Sequence, residues 1–191
     1  MMSSLSKCKQ FRQQLPELTL VHDKTQGSPT ILKNIKKLSN EALFGGTIKN
    51  LDMAQAARAG LILEAGGWND AHRIVQELDT SEAQYWHGIV HRREPDSSNA
   101  TYWFRSVGNH PVMDQLVRIL SESEGPDKIF FQRFIENGKW NPFKYVDACM
   151  ASHEGGGEER LPLLLDIQQK EFTALLDYCI QHALGASWDK A

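Results

Sequence analysis

The sequence predicts an all-α fold, with antiparallel helical hairpins forming a single bundle-like or repeat-like domain over residues 1–191. Along most of the chain, apolar residues recur every three or four positions, which is typical of the buried face of a helix. Turn-forming residues such as Gly, Pro, Asp and Ser separate these segments. No segment shows the alternation of apolar and polar residues that predicts a β-strand.

The periodicity predicts about eight helices. The clearest are expected at 51–64, 69–78, 82–93, 99–107 and 161–184. Shorter helices are expected over Ile31–Leu38, after Pro111, around Phe130, and over Pro142–Ser152. The segments 1–30 and 186–191 are expected to be partly irregular, and the Gly-rich stretch 153–160 to form a flexible loop.

Polar residues at the predicted helix starts are candidates for N-caps, because their side chains can accept hydrogen bonds from free backbone N–H groups. Asp52 is the candidate for the helix at 51–64, and Asn69 or Asp70 for the next one. Asn99 matches the glycosylation triplet Asn-Ala-Thr, but its place at a helix start favours capping.

Composition limits the classes of partner. The net charge of −3 offers no strong basic field for phosphates, so no nucleic-acid partner is expected. No membrane span is expected, because no run of about 18 apolar residues occurs. The N-terminus lacks the apolar core of a signal peptide, and the three scattered cysteines form no Cys-x-x-Cys pair. We therefore expect a cytoplasmic protein, whose partner is a protein or a small molecule.

Two segments of the chain resemble each other at offsets of 28 and 29 residues, ARAGLILEAGGWNDAHRIVQEL and WHGIVHRREPDSSNATYWFRSVG. The second resembles a degenerate tetratricopeptide repeat, a helical hairpin that needs small residues where its helices cross closely. The residues that carry this resemblance are Gly88, Ala100, Phe104 and Pro111, of which the first three match Gly60, Ala71 and Val75. The resemblance implies stacked helical hairpins.

The block YWHGIVHRREPDSSNATYWFRSVGNHP, within residues 84–111, also resembles a segment of uncharacterised helical proteins from bacteria and fungi. This resemblance covers about the middle third of the chain, and it implies no activity. The block holds three of the seven histidines and two of the five tryptophans, so it is where we expect a site.

Within this block, His87, His91 and Glu94 are spaced by four and three residues. On a helix these spacings place the three side chains on one face, at the edge of the predicted apolar arc. His72 lies at the edge of the apolar arc on the preceding helix in a similar way. We therefore expect His72, His87, His91 and Glu94 to converge at the edge of a cavity.

Three interpretations of this cluster stay open. His87, His91 and Glu94 could bind a divalent metal ion, which is the candidate cofactor. The cluster could instead line a ligand pocket or supply an acid/base pair. It could also be a set of half-buried polar side chains that bond to neighbouring carboxylates or carbonyls. The zinc-peptidase pattern is excluded, because Gly88 stands where that pattern needs a Glu.

The wider candidate pocket adds Trp86, Arg92, Trp103 and His110. Arginines and aromatic rings in this block, including Arg93, Tyr102 and Arg105, could hold an anionic or aromatic small molecule. The alternative is that the arginines pair with surface carboxylates and that the tryptophans fill the core. The sequence thus predicts a helical binding or interaction module with a His/Glu-lined pocket or groove. The alternative is an enzyme that uses a His-carboxylate or metal site.

Overall fold

The computed structural model describes residues 6–23, 25 and 27–186. This part of the chain forms eleven α-helices, one two-stranded sheet and one 3₁₀ turn. In chain order they are α1 (Lys7–Arg12), α2 (Pro29–Lys37), α3 (Asn40–Phe44), α4 (Leu51–Glu64), α5 (Trp68–Val75), α6 (Ser81–Arg93), α7 (Ser97–Val107), α8 (Pro111–Ser121), α9 (Gly125–Gln132), β1 (Ile135–Glu136), β2 (Lys139–Trp140), α10 (Pro142–His153), the 3₁₀ turn (Glu158–Arg160) and α11 (Leu161–Leu184).

The predicted all-α class is confirmed, and the five clearest helices are all present. In the described residues, no helix combines the length and apolar character needed to cross a membrane. The described residues also form one short antiparallel β-hairpin, in which Ile135 pairs with Trp140. The sequence predicts only a helix end at Asn137-Gly138, but both residues have positive φ values of 50° and 75°. Asn-Gly is a strong signal for a two-residue hairpin turn, and here it forms one.

The predicted helix caps are wrong by a few residues at three starts. Asn50 caps α4 and accepts a hydrogen bond from the backbone N–H of Met53. Asp96 caps α7 by accepting from the backbone N–H of Asn99, so Asn99 lies inside the helix. The start of α5 follows Gly67 and has no side-chain cap.

Two pairs of consecutive helices, α4–α5 and α6–α7, pack as antiparallel hairpins, and α6 lies at the centre of the bundle. The long helix α11 runs along α4 and α8. Helix α6 contacts α4, α5, α7 and α10. Because neighbours surround it, α6 is buried on all sides over most of its length. The sequence predicts a core edge for His87 and His91, but the structure leaves them only 4% and 8% exposed.

Close helix packing depends on two glycines. A Cβ atom at Gly88 would lie 3.0 Å from the ring of Phe104, which is the intrahairpin contact that the repeat comparison predicts. A Cβ atom at Gly60 would lie 2.4 Å from Trp86 Cζ2, so this contact is with α6 and not with its own hairpin partner α5. Membership of the tetratricopeptide class stays a prediction.

The segment before α2 carries little helix beyond α1, yet its backbone bonds to the core. The N–H of His22 donates to the carbonyl oxygen of Arg93 at 2.6 Å. The side chain of Gln168, fully buried on α11, donates to the carbonyl oxygen of Thr19 at 2.8 Å. These two bonds hold the segment against the end of α6 and against α11. Residues 1–5 and 187–191, within the segments predicted to be irregular, lie outside the described residues.

A buried ion pair joins α6 to α11. Arg92 Nη2 donates to Glu171 Oε2 at 2.5 Å, and both side chains are fully buried. The hydroxyl of Tyr85 donates to the other oxygen of Glu171 at 3.1 Å. The guanidinium also lies over the Tyr145 ring, at 4.5 Å from its centroid. Burial disfavours the charged form of Arg92, but the attraction of Glu171, Tyr145 and Cys149 and the hydrogen bond to Glu171 together outweigh it and raise the Arg92 pKa.

We expect the substitution Glu171→Gln to destabilise the fold by about 3–5 kcal/mol, because it leaves the buried charge of Arg92 unpaired. Glu77→Gln is the matched control, since Glu77 is exposed near the end of α5 and should cost less than about 0.5 kcal/mol. Urea unfolding monitored by circular dichroism measures both. Equal midpoints for the two variants would show that the buried pair does not fix the fold.

Candidate functional site

Three imidazole rings meet between α5 and α6. His72 comes from α5, while His87 and His91 lie one turn apart on α6. The Nε2 atoms of His72 and His87 are 2.9 Å apart, so one ring donates its N–H and the other accepts. One ring nitrogen from each of the three residues lies within 4.8 Å of the others. This set of His72, His87 and His91 is called the histidine cluster below.

The α-helix explains the arrangement of the rings. Because His87 and His91 are four residues apart, their side chains project from the same face of α6. Their rings are stacked with centroids 5.0 Å apart and an interplanar angle of 14°. The ring of His72 meets both of them edge-on, at 77° to His87 and 84° to His91. The three rings thus bring nitrogen atoms together from two helices.

Two indoles flank the cluster. Trp68 stacks on His72 at 5.3 Å, and the two residues are four apart on α5. Trp103, from α7, stacks on His87 at 3.9 Å. The sequence predicts Trp103 as a core residue, but its side chain is only half-buried, because it covers His87 from the outer side. The indoles restrict the rotation of the two imidazoles that they cover.

A hydrogen bond between α5 and α6 positions His72. The indole Nε1 of Trp68 donates to the carbonyl oxygen of Val90 at 3.4 Å. Since Trp68 begins α5 and His72 follows one turn later, this contact holds the helix start against α6. His72 is thereby kept opposite His87 and His91.

Two rings of the cluster, His72 and His87, favour the neutral form. Burial, together with the neighbouring His72 and His91, lowers the pKa of His87 to about 3. Burial and His91 also lower the pKa of His72, against a smaller opposite effect of Glu94. Neutral imidazole has an unprotonated nitrogen, which is the form that binds metal ions and accepts protons.

Two carboxylates lie on the outer side of His91. Glu94 Oε2 is 3.3 Å from His91 Nδ1, but the angle is outside hydrogen-bond geometry. Asp96 joins His91 and Glu94 in a second group whose ligand atoms lie within 4.8 Å of one another. Hydrogen bonds from the N–H groups of Asn99 lower the pKa of Asp96, and it serves as the cap of α7. Glu94 is therefore the carboxylate that is available to the cluster.

A surface cavity of about 570 Å³ adjoins the cluster. Trp68 and Glu94 belong to its wall, and each also contacts a histidine of the cluster. Its other lining residues are His22, Leu32, Gly66, Gly67, Asn69, Asp70, Arg93 and Pro95. The cavity thus lies beside the cluster and shares two side chains with it.

The structure brings His72, His87, His91 and Glu94 together, and Trp103 covers the group. It places three other residues of the predicted pocket elsewhere. Trp86 is 1% exposed and packs on Phe172 in the core. Arg92 does not pair with a surface carboxylate, because it bonds to Glu171 inside the bundle. His110 lies 3.3 Å from Glu82 and caps α8, apart from the cluster.

The sequence analysis does not single out Trp68, although its spacing of four from His72 is a helical one. It names Arg93 among the arginines that could hold an anionic molecule, and the structure places Arg93 in the cavity wall while Arg92 lies in the core. Glu171, which organises the core beside the site, follows three polar residues, 168–170, on a long helix, where no local pattern marks it as a buried residue.

Comparison of the chain with protein-family models, with curated proteins and with solved structures finds no match. Function is therefore inferred from the chemistry of the site itself.

The low pKa of His87 predicts acid-sensitive stability. Between an unfolded-state value near 6.5 and a folded-state value of about 3, only the unfolded chain binds a proton at His87. Stability is therefore retained above pH 6.5 and falls on acidification, by at most about 1.4 kcal/mol per pH unit for this group.

We expect His87→Gln, measured in metal-free protein, to flatten the fall of unfolding free energy between about pH 6 and pH 4. His153→Gln is the control, because His153 is exposed at the end of α10. An unchanged slope in His87→Gln would show that His87 accepts a proton in the folded state.

Proposed function

We propose that this chain is a helical metal-binding protein, which holds one divalent transition-metal ion such as Zn²⁺ at the histidine cluster. The main support for this proposal is that three imidazole nitrogens, from two helices, lie within 4.8 Å of one another. Three imidazoles are a common ligand set for zinc when a fourth position is left for water or a ligand.

The spacing of the nitrogens supports a single ion. In a tetrahedral site with Zn–N bonds of about 2.05 Å, the ligand nitrogens are about 3.3 Å apart. The Nε2 atoms of His72 and His87 are 2.9 Å apart as a hydrogen-bonded pair. A shift of a few tenths of an ångström, together with loss of the shared proton, would let both nitrogens face one ion. The third ring, His91, is already within reach.

The protonation preference supports the same proposal. A metal ion binds the neutral ring, so the lowered pKa values of His72 and His87 present two ligands in the required form. The two flanking indoles are suitable walls for such a site, since they exclude water without supplying a competing charge.

Glu94 has the position of an orienting carboxylate. Ligand histidines commonly donate their other ring N–H to a carboxylate, which fixes the ring and makes it a stronger ligand. With Nδ1 of His91 facing Glu94 at 3.3 Å, the Nε2 atom is the one left for the ion. A hydrogen bond from His91 to Glu94, which the angle in this structure does not allow, would orient the ring when the ion is bound. Glu94 also belongs to the cavity wall.

The cavity favours a second candidate function, metal-assisted hydrolysis. A three-histidine ion keeps a position for water, whose pKa the ion lowers towards neutrality. A cavity that shares Trp68 and Glu94 with the cluster would bring a small molecule close to that water. If this second candidate is correct, the metal-binding protein proposed above is an enzyme in its resting form.

We expect purified protein stripped with chelator to bind one equivalent of Zn²⁺ in a calorimetric titration. Co²⁺ should give the intense visible absorption of a four-coordinate ion. His72→Gln and His91→Gln should each weaken binding at least about tenfold, equivalent to about 1.4 kcal/mol, because each removes a ligand. Metal should also raise the thermal midpoint of the native chain.

The matched control is again His153→Gln, which should bind Zn²⁺ with native affinity and stoichiometry. Circular dichroism confirms that each variant is folded. Equal affinity in the control and in the cluster variants would place any bound ion elsewhere. Absence of saturable binding by the native chain would contradict the proposal.

A further inference from the structure

The wall of the cavity beside the histidine cluster includes an arginine that forms no ion pair in the described residues. Arg93 is 4% exposed, and its Nε and Nη1 atoms have no hydrogen-bond partner in the part of the chain that the structure describes. No carboxylate of the described residues forms an ion pair with it. Removing a cation from water without a partner is costly, and one group that could offset the cost is an anion bound from solution.

The carboxylate that attracts Arg93 already accepts hydrogen bonds from another arginine. Glu64 attracts Arg93 electrostatically, but both of its oxygens accept hydrogen bonds from Arg12 Nε, at 2.9 and 3.2 Å. Burial and the adjacent charge of Arg92 together lower the pKa of Arg93 to about 10. A bound anion would offset both effects, because its attraction favours the charged form of Arg93.

A second feature of the same cavity attracts anions independently. The first residues of α5, Trp68, Asn69 and Asp70, line the cavity, and no side chain caps this helix. The N–H groups of an uncapped first turn, with the positive end of the helix dipole, bind carboxylates and phosphates. Gly66 and Gly67 precede them in the wall and keep side chains out of the approach.

Two carboxylates in the wall have other roles. Asp70 accepts hydrogen bonds from Lys36 at 2.7 Å and from Arg73 at 2.8 Å, so its charge is balanced. Glu94 is directed towards His91. The apolar part of the wall is the ring of Trp68 and the side chain of Leu32. The cavity therefore combines a cationic end with an apolar surface.

We propose that this cavity binds a small molecule through an oxyanion group, a carboxylate or a phosphate, held between the guanidinium of Arg93 and the first turn of α5. The planar guanidinium suits such a group, since it can donate two parallel hydrogen bonds to its oxygens. The volume of about 570 Å³ is in the range of small-molecule sites, and it leaves room for an apolar body against Trp68. Anion binding here does not require the metal ion.

The test uses the full chain with chelator present, so that the histidine cluster holds no metal. Inorganic phosphate and acetate are titrated separately, with neutral acetamide as the reference, and amide and arginine Nε–H resonances are followed by NMR. We expect saturable shifts at Gly67, Trp68 and Asn69 and at the Nε–H of Arg93. Arg93→Met should weaken binding at least about tenfold, and Arg118→Met, at an exposed arginine of α8, should not.

Arg93→Met should also fold at least as stably as the native chain, because it replaces an unpaired buried cation by an apolar side chain of similar length. If Arg93→Met unfolds instead, the shifts of the first-turn amides of α5 in the native chain still test whether the cavity binds anions. Saturation by phosphate alone assigns a phosphate-bearing ligand, and saturation by acetate alone assigns a carboxylate-bearing one. Non-saturable shifts with both anions, or equal binding by Arg93→Met, would overturn the proposal.

Discussion

The rotation of α6 about its own axis is the constraint on which the site depends, and the buried pair of Arg92 and Glu171 fixes it. Seven residues separate Tyr85 from Arg92, so both side chains lie on nearly the same face of the helix and reach the same carboxylate. With that face held against α11, His87 and His91 lie about 100–140° further round the helix. They consequently face α5, where His72 is held in place. A rotation of α6 would break the buried ion pair and the histidine cluster together.

The same arrangement explains why a central helix carries so many polar groups. Buried ion pairs contribute little net stability, since desolvation offsets most of the attraction. Their value here is positional, because Glu171 accepts only one orientation of α6. Arg93 is the next residue along the helix and has no such partner, so its side chain is left beside the cavity. One helix thus supplies a structural cation, two ligand-type imidazoles and an unpaired cation to three different surroundings.

The helices and the convergence of His72 with His87, His91 and Glu94 could be predicted from the sequence, because both depend on local spacing along a helix. The contacts of Arg92 and His110 could not be predicted, since they depend on which helices become neighbours. Glu171 is 79 residues from Arg92, and no local pattern relates them. The same limit applies to Trp68, whose indole reaches Val90 on another helix. The resemblances to tetratricopeptide repeats and to uncharacterised helical proteins stay predictions.

X-ray absorption spectroscopy at the zinc edge of the protein loaded with one equivalent of Zn²⁺ tests the central claim most directly. It counts the ligands of the ion and identifies imidazole by its characteristic outer-atom scattering. The account predicts three imidazole nitrogens at about 2.0–2.1 Å with one lighter ligand, usually a water oxygen, in a four-coordinate site. An ion bound mainly by oxygen atoms, or one with fewer than three imidazoles, would contradict a metal centre at His72, His87 and His91.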